Sequence, residues 1–271
     1  MRGLWIYAVI FVLWWYWPEE LAESGLWGDL TWLLVLLLVV TPVSVFIGVL
    51  RGLPKDVRYS PASGAAITPA LREVVEEFER QGFRRYGEPL SFDLPQAALV
   101  IPMSNPDEGL LATAYRIGGA SGKVAYDVVT MLDLEEGSLT TAMDASAGVL
   151  PAGQATLRQI FPGADVVELV HQHREALSLL ARQRIAVLDV APSAIASLLC
   201  ESFRLNRKWF LKAPLLNTFV AIWRTLTKRN PWLGPLARQP GILDHLAKIA
   251  PAHMRRGPAP RPTQAIHDDV F

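Results

Sequence analysis

Uncharged apolar runs fill the start of this chain, helical and strand periodicities alternate through its middle, and cations flank apolar residues near its end. The longest run, Leu30 to Leu50, holds 21 residues without a formal charge. As a helix rising ~1.5 Å per residue it would cover about 30 Å, the thickness of a bilayer's hydrocarbon core. The pattern predicts a transmembrane helix, and Pro42 is compatible with one because neighbouring groups can re-satisfy the freed carbonyl. A second run, Gly3 to Trp17, has 15 residues and would cover about 22 Å. The three tryptophans at its end and Pro18-Glu19-Glu20 beyond them make a poor approach to a signal peptidase, which favours a retained helix over a cleaved leader.

Together the two runs predict a hairpin in the membrane. Trp14, Trp15 and Trp17 end the first run and Trp27 and Trp32 begin the second, so they would form an aromatic belt at one bilayer face. The connecting segment carries Glu19, Glu20, Glu23 and Asp29 and no cation, whereas Arg51, Lys55 and Arg58 follow the second run. The positive-inside rule then places both termini in the cytoplasm of a bacterial inner membrane.

Residues 51–67 are rich in Pro, Gly, Ser and Ala and read as a linker. Leu71, Val74, Val75 and Phe78 recur at helical spacing after Thr68-Pro69, predicting an amphipathic helix that ends at Gly82. From Phe83 to Ser146 the pattern becomes short β-type segments: Arg84–Leu90, Ala97–Met103, Leu110–Ile117, Val124–Asp133 and Ser138–Ala145. The turn residues dividing them predict consecutive hairpins, hence an antiparallel meander. A further helix is expected from Asp165, with Glu168 completing a capping box and Val166, Leu169, Val170, His173, Leu177 and Leu180 on one face. Another begins near Pro192 and contains Ile195, Leu198, Leu199 and Phe203. The predicted fold is α+β: a transmembrane hairpin (1–50), a linker (51–67), a cytoplasmic antiparallel meander packed by helices (68–203), a basic amphipathic tail (204–256) and a disordered C-terminus (257–271).

Charge sharpens this division. Whole-chain neutrality hides ten Lys/Arg against eighteen Asp/Glu in residues 60–203, and eleven Lys/Arg against Asp244 alone in 204–256. The single cysteine, Cys200, excludes an internal disulfide and every zinc site with two or more cysteines. It lies in an apolar helical pattern, as a buried structural cysteine does.

Candidate chemistry is sparse. The Gly-rich stretch Gly118 to Lys123 fails the spacing of a phosphate-binding loop, with Val124 where a Ser or Thr should hold magnesium, and it joins two strands. His171 and His173 point away from each other on a helix and cannot share a metal. Glu168, His171 and Glu175 share one face, but a di-iron bundle needs a second Glu-x-x-His helix, which is absent from the sequence. His173 falls on the core face, where a packing role would tolerate His173→Leu. Asp133, Glu135, Glu136 and Asp144 lie near hairpin ends. Asp133 and Asp144, with His171, are the catalytic candidates should they converge in space. No metal and no cofactor is expected.

The order Gly82-Phe83, then Glu135 to Thr141 (EEGSLTT), then Glu168 to Leu177 (ELVHQHREAL) resembles bacterial membrane-associated proteins of uncharacterised function, over about residues 68–177. The resemblance implies an α+β domain and carries no catalytic residues.

The tail supplies the remaining functional hint. Pro214 can open a helix whose Leu215, Leu216, Phe219, Val220, Trp223 and Leu226 gather on one side, with Lys208, Trp209, Lys212, Arg224, Lys228 and Arg229 around them. Ala213 to Trp223 is only 11 uncharged residues, too short to span, so the pattern predicts a helix lying on an anionic leaflet. Packing on protein, in a partner or homo-oligomer, is the competing expectation; nucleic acid is not, given the aliphatic surface. The sequence therefore reads as a membrane-anchored interaction or regulatory module. The alternative is a membrane-tethered enzyme acting on lipid or envelope precursors.

Overall fold

The structure, a computed structural model, describes residues 41–93, 98–117, 122–144, 150, 153–227 and 230–250. Helix α1 (Thr41–Gly52) leads into an edge strand β1 (Tyr59–Pro61) and helix α2 (Pro69–Arg80). Strands β2 (Arg84–Arg85), β3 (Leu90–Phe92), β4 (Ala98–Asn105), β5 (Leu110–Ile117), β6 (Lys123–Met131), β7 (Ser138–Ala142) and β8 (Thr156–Ile160) follow. Helices α3 (Val166–Arg182), α4 (Ile195–Lys212), α5 (Pro214–Thr227) and α6 (Ile242–Ile249) complete the described chain.

The strands form one eight-stranded sheet in the order β1-β3-β4-β5-β6-β7-β8, with β2 also paired to β4. All eight residues of β4 are buried, so both faces of the sheet are covered. Leu99, Ile101 and Met103 pack on one face with Leu71, Val75 and Phe78 of α2 and Val166, Leu169 and Val170 of α3. At the far end of that face, Leu132, Leu139 and Leu157 meet Leu179 and Leu180 of α3 and Leu246 of α6. The alternate residues belong to the opposite face, where Leu111 packs with Ile195, Leu198 and Leu199 of α4.

Local chemistry explains the helix boundaries. Pro69 fits the first turn of α2, where its missing N–H costs nothing, and Gly82 follows with φ +90. Asp165 caps α3 by accepting from the Glu168 N–H at 2.8 Å. Only half of the expected capping box forms, because Glu168 Oε1 instead accepts from Gln172 Nε2 at 2.9 Å. Val166, Leu169, Val170, His173 and Leu180 are buried as the periodicity predicted.

The predicted architecture needs correction. The sheet is mixed and not an antiparallel meander: β8 runs parallel to β7, in register from Ser138↔Thr156 to Ala142↔Ile160. The chain between these strands is long enough for a crossover, which parallel pairing requires and a hairpin does not. Nor does any described helix have the length and apolarity to cross a membrane. The described end of the long apolar run is α1, whose 12 residues would cover only about 18 Å. The first run, and residues 30–40 of the second, lie outside the described residues, as do 257–271.

Two further elements lie where periodicity gave no sign. Tyr59–Pro61, within the stretch read as a linker, pairs with β3. Beyond β8, Ile160 N donates to Trp232 O at 2.8 Å and Gly234 N to Ile160 O at 2.9 Å, so the second sheet edge is bridged. Asp165→Ala removes the α3 cap and is expected to lower unfolding free energy by about 1 kcal/mol, read by urea unfolding of the solubilised chain.

Candidate functional site

The second sheet face requires a covering helix, and α4 supplies it with its first half. Its 18 residues continue past Leu199, and the second half meets α5 and α1 as well as β8 and the β6–β7 turn. Phe210 is fully buried and stacks on Phe46 of α1, with ring centroids 5.8 Å apart. Arg207 Nη1 donates to the Leu53 carbonyl at 2.6 Å and the Leu50 carbonyl at 3.4 Å, satisfying the C-terminal end of α1. Asn217 Nδ2 donates to the carbonyls of Trp209 and Phe210 at 3.1 and 2.9 Å, fastening α4 to α5.

In this arrangement α5 buries two small residues, half-buries Phe219, Val220 and Ile222, and leaves four large residues exposed. Thr218 and Ala221 are its buried residues. Leu215 is 74% exposed and Leu226 76%, with Leu216 and Trp223 also exposed. A 100° turn per residue gathers these four on one arc turned away from Ala221, with Leu215 and Leu226 nearer to Thr218. Leu211 of α4 and Val43 and Ile47 of α1, one turn apart, are exposed as well. The result is an apolar surface on a helical layer that has no third layer over it among the described residues.

Cations border this surface unevenly. Lys212 places Nζ 3.4 Å from the centre of the Trp209 ring. Lys208 Nζ is 2.5 Å from Glu136 Oε1, and Trp209 Nε1 donates to Glu136 Oε2 at 3.2 Å. Trp209 therefore faces the β6–β7 turn and is not free to project outward; a Cβ at Gly153 would come within 2.7 Å of its Nε1. Arg224 is half-buried, and its charge adds to the burial that holds Arg158 down to about 10. Arg158 lies on the α4 side of β8 and donates to Asn206 Oδ1 at 2.7 Å. Trp14, Trp15, Trp17, Trp27, Trp32, Lys228 and Arg229 lie outside the described residues.

The three catalytic candidates stay apart. His171 is exposed on α3 and sits 3.4 Å from Glu175. Asp144 lies across the sheet, 3.4 Å from Lys123. Asp133 follows β6 and Asp144 follows β7, so antiparallel pairing puts them at opposite ends of that hairpin. An open cleft of about 380 Å³ between α3 and Pro235–Ala237 contains none of the three. At its floor, Gln159 Nε2 donates to Thr141 Oγ1 and the Gln172 carbonyl, and its Oε1 accepts from Leu236 N, so this amide is fully engaged. Among the described residues no three His, Cys, Asp or Glu side chains gather as a metal would require.

His173 is buried as its position predicted, but it does more than pack. Nε2 lies 2.8 Å from Thr130 Oγ1 and Nδ1 lies 2.7 Å from Thr141 Oγ1, and neither threonine has exposure. Burial, with a smaller contribution from Arg174, pushes its pKa down to about 3, so the ring is neutral. The expectation that His173→Leu is tolerated is therefore revised, since the leucine would strand the Thr130 hydroxyl inside the core and leave Thr141 with Gln159 as its one side-chain partner. On the other face, Asp127 accepts a hydrogen bond from Thr113, but desolvation outweighs that bond and raises Asp127 to about 6. Tyr115 is pushed up by burial and by the charges of Asp127 and Asp144.

Compared with known proteins, the chain matches no family model, no curated protein and no solved structure.

Two predictions follow from these buried groups. His173→Leu should lower stability by roughly 2–4 kcal/mol at pH 7. Because the unfolded imidazole takes a proton that the folded one refuses, wild-type stability carries a His173 contribution that is full above pH 6.5 and falls by about 1.4 kcal/mol per unit below it. Urea unfolding at pH 7 and 5 should show this slope in the wild type and lose it in the leucine variant. Asp127 has the opposite sign: the folded carboxyl keeps a proton that the unfolded one releases between pH 3.8 and about 6. Discounted for its partial exposure, Asp127→Asn should stabilise by about 1–2 kcal/mol at pH 7.5, with no gain at pH 4.

Proposed function

We propose that this chain is a membrane-surface interaction module, in which the layer of α1, α4 and α5 docks on an anionic leaflet. The observation that carries this reading is the exposed apolar set on α5, with Leu215 and Leu226 about three-quarters exposed while Thr218 and Ala221 are its buried residues. Burying each such leucine favours association by roughly 1.5–3 kcal/mol. Two features favour lipid as the occupant. Lys208 and Lys212 lie on α4 with the exposed Leu211, shortly before Leu215 at the start of α5, a mix of cations and apolar residues as in helices that rest in the headgroup region. The uncharged stretch Leu30 to Val40 also leads directly into α1, the helix against which α5 packs.

The module reading assigns no catalysis to the chain and leaves its regulatory target to the partners it meets at the membrane. Its test is a polarity-sensitive fluorophore on Leu226→Cys in a Cys200→Ser background of the full chain. Mixing with phosphatidylcholine vesicles containing phosphatidylglycerol should blue-shift the label, and high salt should reverse the shift. The same label on Glu73→Cys, on α2 across the sheet, should not respond. A label that ignores lipid, or that shifts with protein concentration alone as a second copy covers the face, overturns the reading.

A further inference from the structure

We propose that Arg204, Lys208 and Lys212 form a headgroup-phosphate site on α4, and that Glu136 holds this site in the free protein until anionic lipid displaces it. The inference rests on the docking reading above and adds a regulated ligand site to it. The three cations recur every four residues, so they stand along one side of α4. Glu136, from the β6–β7 turn, meets that side as an anion would. One carboxylate oxygen lies 2.5 Å from Lys208 Nζ and the other accepts from Trp209 Nε1 at 3.2 Å. Lys212 sits over the same Trp209 ring at 3.4 Å.

Arg204 carries its own partner, Glu201, with Nε donating to Oε2 at 2.6 Å, and also feels the charge of Glu136. Lys208 holds Glu136 below the usual carboxylate range, with Trp209 and Lys212 assisting. The carboxylate thus occupies a position furnished with one ammonium, one indole N–H and two further cations nearby. A phosphodiester offers the same acceptor geometry with more oxygens. Leu211, next to Lys212 in α4, is exposed, as are Leu215 and Leu216 at the start of α5. Neutral lipid offers no net charge to compete with Glu136, so the contact biases docking toward anionic membranes.

The experiment uses the full chain with the Leu226→Cys reporter and adds Glu136→Gln, which keeps the acceptor for Trp209 and removes the charge. Circular dichroism checks that the fold is unchanged. The reporter should reach half its shift at about fivefold less phosphatidylglycerol than in the parent, the gain from one surface cation released to lipid. Adding Lys208→Gln and Lys212→Gln should abolish that advantage. Glu73→Gln, which removes the same charge at a remote site, should produce no comparable gain. An equal gain from Glu73→Gln, or none from Glu136→Gln while the parent still docks, overturns the site and leaves the docking reading intact. Loss of the advantage in inorganic phosphate at constant ionic strength would identify a free anion as the occupant and overturn the lipid assignment. A parent reporter that never responds to lipid removes both.

Discussion

The constraint on which this structure depends is a sheet that must be covered twice. Every residue of β4 is buried, and alternate residues of a strand face opposite sides, so one layer of helices cannot suffice. Helices α2 and α3 cover one face with apolar positions at helical spacing. The other face falls to α4, the next helix in the chain. Only its first half is needed, because Ile195, Leu198 and Leu199 already reach Leu111 and the β3–β4 strands. The rest of α4 holds Arg158 of β8 through Asn206 and the β6–β7 turn through Lys208 and Trp209, and it packs with α1 and α5, whose outer residues the sheet does not need. The exposed face of α5 is therefore a consequence of how the core is built.

A polar seam fixes the other side of the molecule. His173, Thr130, Thr141 and Gln159 link α3 to β6, β7 and β8, and Gln159 reaches the backbone of Leu236. Each hydrogen bond contributes only about 1 kcal/mol, but a misregistered β8 would leave several of these groups unsatisfied inside the core. Parallel pairing of β7 and β8 is the register in which the Gln159 amide finds its three partners, Thr141, Gln172 and Leu236. The seam thus specifies the one strand whose direction hydrophobic alternation does not determine. Gln239, which donates to the Arg158 carbonyl at 2.7 Å, continues this specification at the β8 edge.

Helical periodicity was legible where one face is buried and the other wet. It located α2 and α3 closely and placed His173 inside, while the flanking turn residues located the strand Leu110–Ile117. The short strands β1, β3 and β8 escaped it for different reasons. Tyr59–Pro61 is exposed throughout and has no alternation to read. Thr156–Ile160 alternates Arg158 with Leu157 and Gln159, and both polar residues are buried by partners distant in sequence. Thr130 and Thr141 carry a signal that a closer reading could use, since each occupies an inward strand position between apolar neighbours. A polar residue there needs a partner, and His173 lies on the helix that covers that face. Glu136 offered no such signal, because its meeting with Lys208 joins residues 72 positions apart.

The tail shows why an amphipathic pattern alone leaves its occupant open. The sequence of α5 places Leu215, Leu216, Trp223 and Leu226 on one side, a pattern equally suited to a protein core and to a lipid surface. What separates the two is which side the fold itself buries. Burying Thr218 and Ala221 lets α5 approach α1 and α4 closely, with Phe219, Val220 and Ile222 half-buried, and it leaves Leu215, Leu216, Trp223 and Leu226 exposed. An interior helix would have used its leucines for that contact. The cations have the complementary arrangement: Arg207 is spent on the carbonyls of Leu50 and Leu53, whereas Lys208 and Lys212 hold reversible partners near the apolar edge. Surface ion pairs of this kind contribute about 1 kcal/mol or less, which a membrane of the same charge density as its headgroups can exchange. The strong internal bonds thus set the shape of the layer, and the weak ones at its rim are those that another anion can replace.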